Sequence, residues 1–146
     1  MESETVRALL ETIERRLARL EALAPVTAET YADDPDVQDI VDRNLEVLLQ
    51  ACIDMGLHVL ADRPNRVPER YRDVFAALAA EELIETELAT RLEGAAGFRN
   101  LLVHGYAELI PEKVIDTLEE LGDIRAYVAQ LGRFFREQGI LPKEGR

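Results

Sequence analysis

Tryptophan is absent from this chain, and aromatic residues supply only 5% of its 146 positions. The apolar 47% is carried mostly by Leu, Ala, Val and Ile. Abundant Leu and Ala favour helix over strand. The lone cysteine, Cys52, excludes an internal disulfide. It lies in an apolar run and reads as a buried thiol rather than a nucleophile. Only two histidines occur, His58 and His104, too few for a metal site built from clustered Cys and His. No apolar run of about 18 residues exists, so no membrane span is expected. The opening MESETVRALLETIERR lacks the apolar core of a signal peptide and implies a cytoplasmic protein.

Basic residues are the scarcer charge. Lys and Arg number 17 against 29 Asp and Glu, a formal net charge of −12. This argues against nonspecific DNA binding, which draws its affinity from counterions released by Lys and Arg. It leaves room for an enzyme that grips one or two phosphates in a local arginine pocket. It also fits a partner carrying positive charge.

The length suits one domain with one core, residues 1–146. No internal repeat or low-complexity segment is present. Val6, Leu10, Ile13, Leu17, Leu20 and Ala24 alternate steps of four and three, which predicts a helix from about Ser3 to Leu23. That narrow seam suits packing inside its own bundle, and would also suit pairing with a second copy. Pro25 and the segment through Asp33 break it. A second long helix is expected from Asp34, with Pro35 at the first helical position, to about Leu60. The segment Asp62 to Arg70 holds Pro64 and Pro68 and reads as a loop. A short helix from about Tyr71 to Ala80 follows, then another from about Ile84. The last is expected to open near Pro111 and run unbroken through Phe135, stopping before Gly139. No segment alternates as a strand would. The expected fold is all-α, an antiparallel bundle of about five helices.

The chemistry concentrates in Phe98-Arg99-Asn100-Leu101-Leu102-Val103-His104-Gly105-Tyr106. Arginine holds a phosphate with a planar fork of donors, and histidine moves a proton near neutral pH. Together they suffice to cut a phosphodiester without a metal. On a helix Asn100 and His104 share a face. Arg99 and His104 lie five residues apart, roughly 140° around the axis, so a second chain meets the geometry better than one chain does. Gly105 should weaken or end the helix and leave Tyr106 at an exposed edge. Leu101, Leu102 and Val103 are expected to anchor the segment in the core. The plainer alternative stays open: a histidine serving the helix dipole, a solvated arginine and a half-buried tyrosine. His58 lies four residues after Asp54, so the two could hydrogen-bond on one helical face.

Arg99, Asn100, His104 and Tyr106, with Phe98 before them, form an R-N-x-x-x-H and an R-x4-H-x-Y pattern near a helix end. In a small all-α protein this resembles the HEPN superfamily, and the added tyrosine narrows the resemblance to its HepT-type toxins. The two long N-terminal helices, the stretch Ala51 to His58, the segment Tyr71-Arg72-Asp73-Val74-Phe75 and the final helix after Pro111 extend it from about Val6 to about Phe135. The resemblance implies a single HEPN-like domain and a homodimer whose composite cleft brings two motifs together. It implies a metal-independent ribonuclease needing no cofactor, with Arg99 and His104 catalytic and Asn100 orienting the substrate. It further implies the toxin of a type VII-like toxin–antitoxin system, paired with an MNT-type nucleotidyltransferase antitoxin that can place AMP on Tyr106.

Chemically, His104 would take a proton from a ribose 2′-OH or give one to the leaving 5′-oxygen. Arg99 would stabilise charge on the phosphorane. A reaction that needs the 2′-OH should cut RNA and spare DNA. Two other readings stand beside it. One is a noncatalytic helical module that binds a nucleotide or a nucleotidyltransferase through the same residues. The other is a helical dimerisation protein with no site, in which mutants of Arg99 and His104 behave like wild type.

Overall fold

A computed structural model describes residues 2–23, 25–63, 67–104 and 109–143, and every regular element among them is a helix. Seven α-helices are described: α1 (Ser3–Ala22), α2 (Ala28–Asp33), α3 (Pro35–Leu60), α4 (Val74–Ala80), α5 (Thr86–His104), α6 (Pro111–Glu119) and α7 (Leu121–Glu137). A single 3-10 turn, Tyr71–Asp73, leads into α4.

The sequence dictates the central place of α3. Buried side chains occupy nearly every turn and more than one face, among them Leu45, Leu48, Leu49, Ala51, Cys52, Ile53 and Met55. A helix apolar on several faces has to be surrounded, and α1, α2, α4 and α5 all pack on it. Its start is set by Asp34, whose carboxylate accepts the N–H of Asp36 at 3.0 Å, with Pro35 in the first turn. The seam of α1 is spent within the chain: Val6, Ile13, Leu17 and Leu20 are buried, and α1 lies along α3.

Three expectations are corrected. The segment after Pro25 is not uniformly irregular, because α2 forms within it. Six residues cannot hold a helix by themselves. Thr27 caps it by accepting the N–H of Thr30 at 3.0 Å, and the buried Tyr31 donates its hydroxyl to Asp42 of α3 at 2.6 Å. Tertiary anchorage makes this helix, and no periodicity reports it.

The final helix is two helices, which raises the count from about five to seven. At Glu120 the N–H turns back to Thr117 at 3.1 Å, and Asp123 bonds in turn to Glu120 at 2.9 Å. This tightening lets α6 lean on α2 while α7 packs on α5. Val114 is buried on one side of the break and Ile124 on the other, so the apolar pattern runs across it.

Asp54 and His58 do not pair. Asp54 accepts from Gln50 Nε2 at 2.7 Å, and His58 Nε2 accepts the backbone N–H of Glu2 at 3.4 Å.

Gly56 lets α4 and α7 close on α3. A Cβ there would lie 2.6 Å from Val74 Cγ1 and 2.9 Å from the Tyr127 hydroxyl oxygen. Neither neighbour yields easily. Val74 is β-branched and fully buried, and Tyr127 packs edge-on against Phe75 while donating to the Cys52 carbonyl at 2.8 Å. Gly56→Ala is therefore expected to destabilise the fold by about 1–3 kcal/mol. A lower urea midpoint at unchanged slope would show it, and a wild-type midpoint would mean that the contact relaxes freely.

Candidate functional site

Helix α5 carries the motif, and its ends differ. At the start, the Glu85 N–H donates to Gln130 Oε1 at 2.8 Å and Gln130 Nε2 returns to Glu85 Oε1 at 3.0 Å, tying the helix entry to α7. Arg91 Nε adds a bond to Asp123 Oδ1 at 3.0 Å. Leu88, Leu92 and Ala96 then form a buried stripe at four-residue spacing. One turn further, Arg99 and Asn100 occupy the continuation of that stripe. The inner face thus changes from apolar to polar while the side chains remain half-buried.

A half-buried guanidinium must find partners. Arg99 Nη1 donates to Asn100 Oδ1 at 2.8 Å. The Arg99 guanidinium carbon also sits over the Tyr71 ring, 5.0 Å from its centroid, within range of a cation–π contact. Arg99 lines a groove of about 410 Å³ together with Leu9 of α1, Arg43, Gln50 and Asp54 of α3, and Val103 of α5. The groove is mixed in charge, with a cation at Arg43 and at Arg99 and carboxylates at Glu46 and Asp54.

His104 is the last residue of α5 and is exposed. It is not among the residues lining the groove with Arg99. One chain brings Arg99 and Asn100 together, with His104 one turn beyond Asn100 at the end of the helix. Gly105 and Tyr106 lie outside the described residues.

Phe98, which leads the motif, is buried. The anchoring role given to Leu101, Leu102 and Val103 is corrected. Leu101 is 52% and Val103 42% exposed, and only Leu102 packs partly against the core. The inward line of α5 runs from Ala96 through Arg99 and Asn100 to Val103, so Leu101 faces out and Val103 stands on the wall of the Arg99 groove rather than in the core. Cys52 is fully buried, and burial pushes its thiol well above the ordinary range. It is unsuited to nucleophilic work. Among the described residues, no three His, Cys, Asp or Glu side chains gather as a metal-binding set. Among them too, no helix is long and apolar enough to cross a membrane.

Three participants were not visible in the sequence as neighbours of Arg99. Tyr71 is distant from Arg99 along the chain, and only the folded turn before α4 sets its ring against the guanidinium. Gln50 and Asp54 reach the groove through the register of α3, one turn apart.

The family model for HepT-like ribonucleases matches residues 13–131. The chain belongs to the HepT-like ribonuclease family. Its relatives cover it almost end to end. The mRNA nuclease HepT of Shewanella oneidensis is 30% identical over 120 residues, 82% of this chain and 90% of that one. The tRNA nuclease HepT of Aphanizomenon flos-aquae is 27% identical over 135 residues, 92% of each chain. A solved structure of a tri-AMPylated Shewanella oneidensis HEPN toxin in complex with MNT antitoxin superposes with a TM-score of 0.79 at 28% identity, covering 88% of this chain and 97% of that one. This HepT-like chain thus has the all-α HEPN fold, and Arg99 to His104 fall within the matched span.

Proposed function

We propose that this chain is a metal-independent endoribonuclease, the toxin of a toxin–antitoxin pair, with Arg99 and His104 as its catalytic residues. The observation that carries the assignment is Arg99. It is a half-buried cation beside a groove, held by an amide and an aromatic face, and no carboxylate pairs with it among the described residues. Such a guanidinium keeps its charge and its remaining donors for an anion.

In the reaction, the ribose O2′ attacks the adjacent phosphorus as His104 removes its proton. Arg99 stabilises the charge that builds on the phosphoryl oxygens. The 5′-oxygen leaves with a proton supplied by a second imidazole or by the same one. Asn100 orients the guanidinium through its side-chain oxygen. A homodimer brings two such sets together. The exposed Leu101 and Val103, which lie within the motif at the end of α5, support that assembly. DNA lacks the attacking 2′-OH and is spared. The proposed partner is an MNT-type nucleotidyltransferase antitoxin, and the proposed point of control is Tyr106. An AMP group there would add a phosphodiester charge that could compete for the Arg99 donors that the RNA phosphate needs. The reaction is cytoplasmic and uses no cofactor.

The test is to purify the chain made alone and made with its neighbouring nucleotidyltransferase. The first preparation is expected to cut RNA in the presence of a chelator, to leave DNA intact and to scatter light as a dimer. The second should be inactive and heavier by adenylyl groups that disappear in Tyr106→Phe. A monomer would remove the composite cleft. Neutralisation of an unmodified chain would replace modification by simple complex formation. The noncatalytic module would instead bind the nucleotidyltransferase and leave RNA uncut.

A further inference from the structure

We propose that Tyr71 is a positioning residue for Arg99, its ring fixing the guanidinium plane so that the donors not taken by Asn100 form a set fork for a phosphate in the groove. This rests on the reading of Arg99 given above and adds to it a residue outside the motif.

The ring is well placed for the task. Tyr71 opens the 3-10 turn, which is held at both ends. Behind it, Val74 and Phe75 are buried in the core. In front, Arg70 Nε bonds Asp73 Oδ2 at 3.1 Å, and the Asp73 N–H bonds the Arg70 carbonyl at 3.0 Å. The turn packs on α5. The turn that carries Tyr71 is thus anchored to the bundle, and its ring, 38% exposed, lies outside the core against the Arg99 guanidinium.

The arginine needs that ring. Its Nε is buried without a hydrogen-bond partner among the described residues, and one Nη1 bond to Asn100 fixes a single edge. One hydrogen bond leaves a long side chain free to rotate about it. A stacked face removes that freedom. A second stacked arginine in the chain shows the contrast. Arg63 lies 5.4 Å from the Phe134 ring centroid, but it also pairs with Glu81 at 2.7 Å and so has its charge satisfied internally. Arg99 has the aromatic face and, among the described residues, no ion pair. A structural stack ends in an ion pair, whereas this one ends in a groove.

The experiment uses the full chain with Tyr71→Leu, Tyr71→Phe and Arg99→Ala. Tyr71→Leu is expected to lower kcat about tenfold, with little change in KM and no change in the thermal midpoint. Tyr71→Phe keeps the ring and should restore the rate, since the hydroxyl has no part in the stack. A readout independent of cleavage is the Arg99 Nε–H resonance. Ring current should displace it upfield in wild type and Tyr71→Phe, and the displacement should vanish in Tyr71→Leu. Wild-type turnover by Tyr71→Leu while Arg99→Ala is inactive would overturn the inference and leave the ribonuclease reading standing. So would an Arg99 resonance indifferent to Tyr71→Leu. Wild-type cleavage by Arg99→Ala would overturn the reading of Arg99 itself, and this inference with it.

Discussion

Replacing His104 with alanine is expected to lower RNA cleavage by about 10²–10⁴-fold, the usual contribution of a positioned general acid or base. The fold should be indifferent to the change. His104 is exposed and closes α5, beyond the buried residues Leu88, Leu92, Ala96 and Phe98 that hold the helix in the bundle. The loss should therefore appear in turnover, with an unaltered circular dichroism spectrum and an unaltered urea midpoint. RNA binding should persist, because the phosphate contact is assigned to Arg99. Cleavage by His104→Ala at the wild-type rate would falsify the assignment. Loss of cleavage together with loss of fold would reveal a structural histidine instead.

Arg99→Lys should be nearly as damaging as Arg99→Ala, each costing on the order of 10²–10³-fold in kcat if Arg99 is a transition-state donor. Lysine preserves the charge, so a purely electrostatic role predicts a mild effect. The geometry around Arg99 predicts otherwise. The guanidinium bonds Asn100 Oδ1 with one nitrogen, and its central carbon sits over the Tyr71 ring. An ammonium has no plane to stack and no parallel pair of donors. Asn100 would keep its side-chain oxygen in place but lose the group that it orients. Single-turnover rates of the two variants decide the matter, and full activity with lysine would show that charge alone is required.

The legible and illegible parts of this chain divide on physical lines. Asp34 and Pro35 announce the start of α3 because a cap is a local device. Gly139 announces the end of α7 for the same reason. Its φ is +73°, and the Ile140 N–H reaches back to the Phe135 carbonyl at 2.8 Å. The turn after α4 uses the same closure, with the Leu83 N–H bonded to the Leu78 carbonyl at 3.0 Å, but the positive φ of 60° falls on Glu82. A glutamate in that conformation carries no sequence signature. The helix α2 and the break at Glu120 were hidden because contacts between helices create them. At the site, Arg99, Asn100 and His104 were readable as a motif, and their angular separation followed from helix geometry. Which way Leu101 and Val103 face was not readable. Apolar residues lie on several sides of α5, and only its packing against α3, α4 and α7 selects the inward one. Tyr71 was out of reach because a stacking partner has no required spacing.

The exposure of Leu101 and Val103 has an evolutionary consequence. These side chains lie between the residues assigned to chemistry, all within six consecutive positions, Arg99 to His104. Any surface that covers the two apolar groups comes within one helical turn of the arginine and the histidine. The sticky patch and the cutting edge therefore cannot drift apart independently. A substitution that tunes adhesion at this helix end also retunes the chemistry, and relatives that change their binding companions should change their RNA preference in the same few residues.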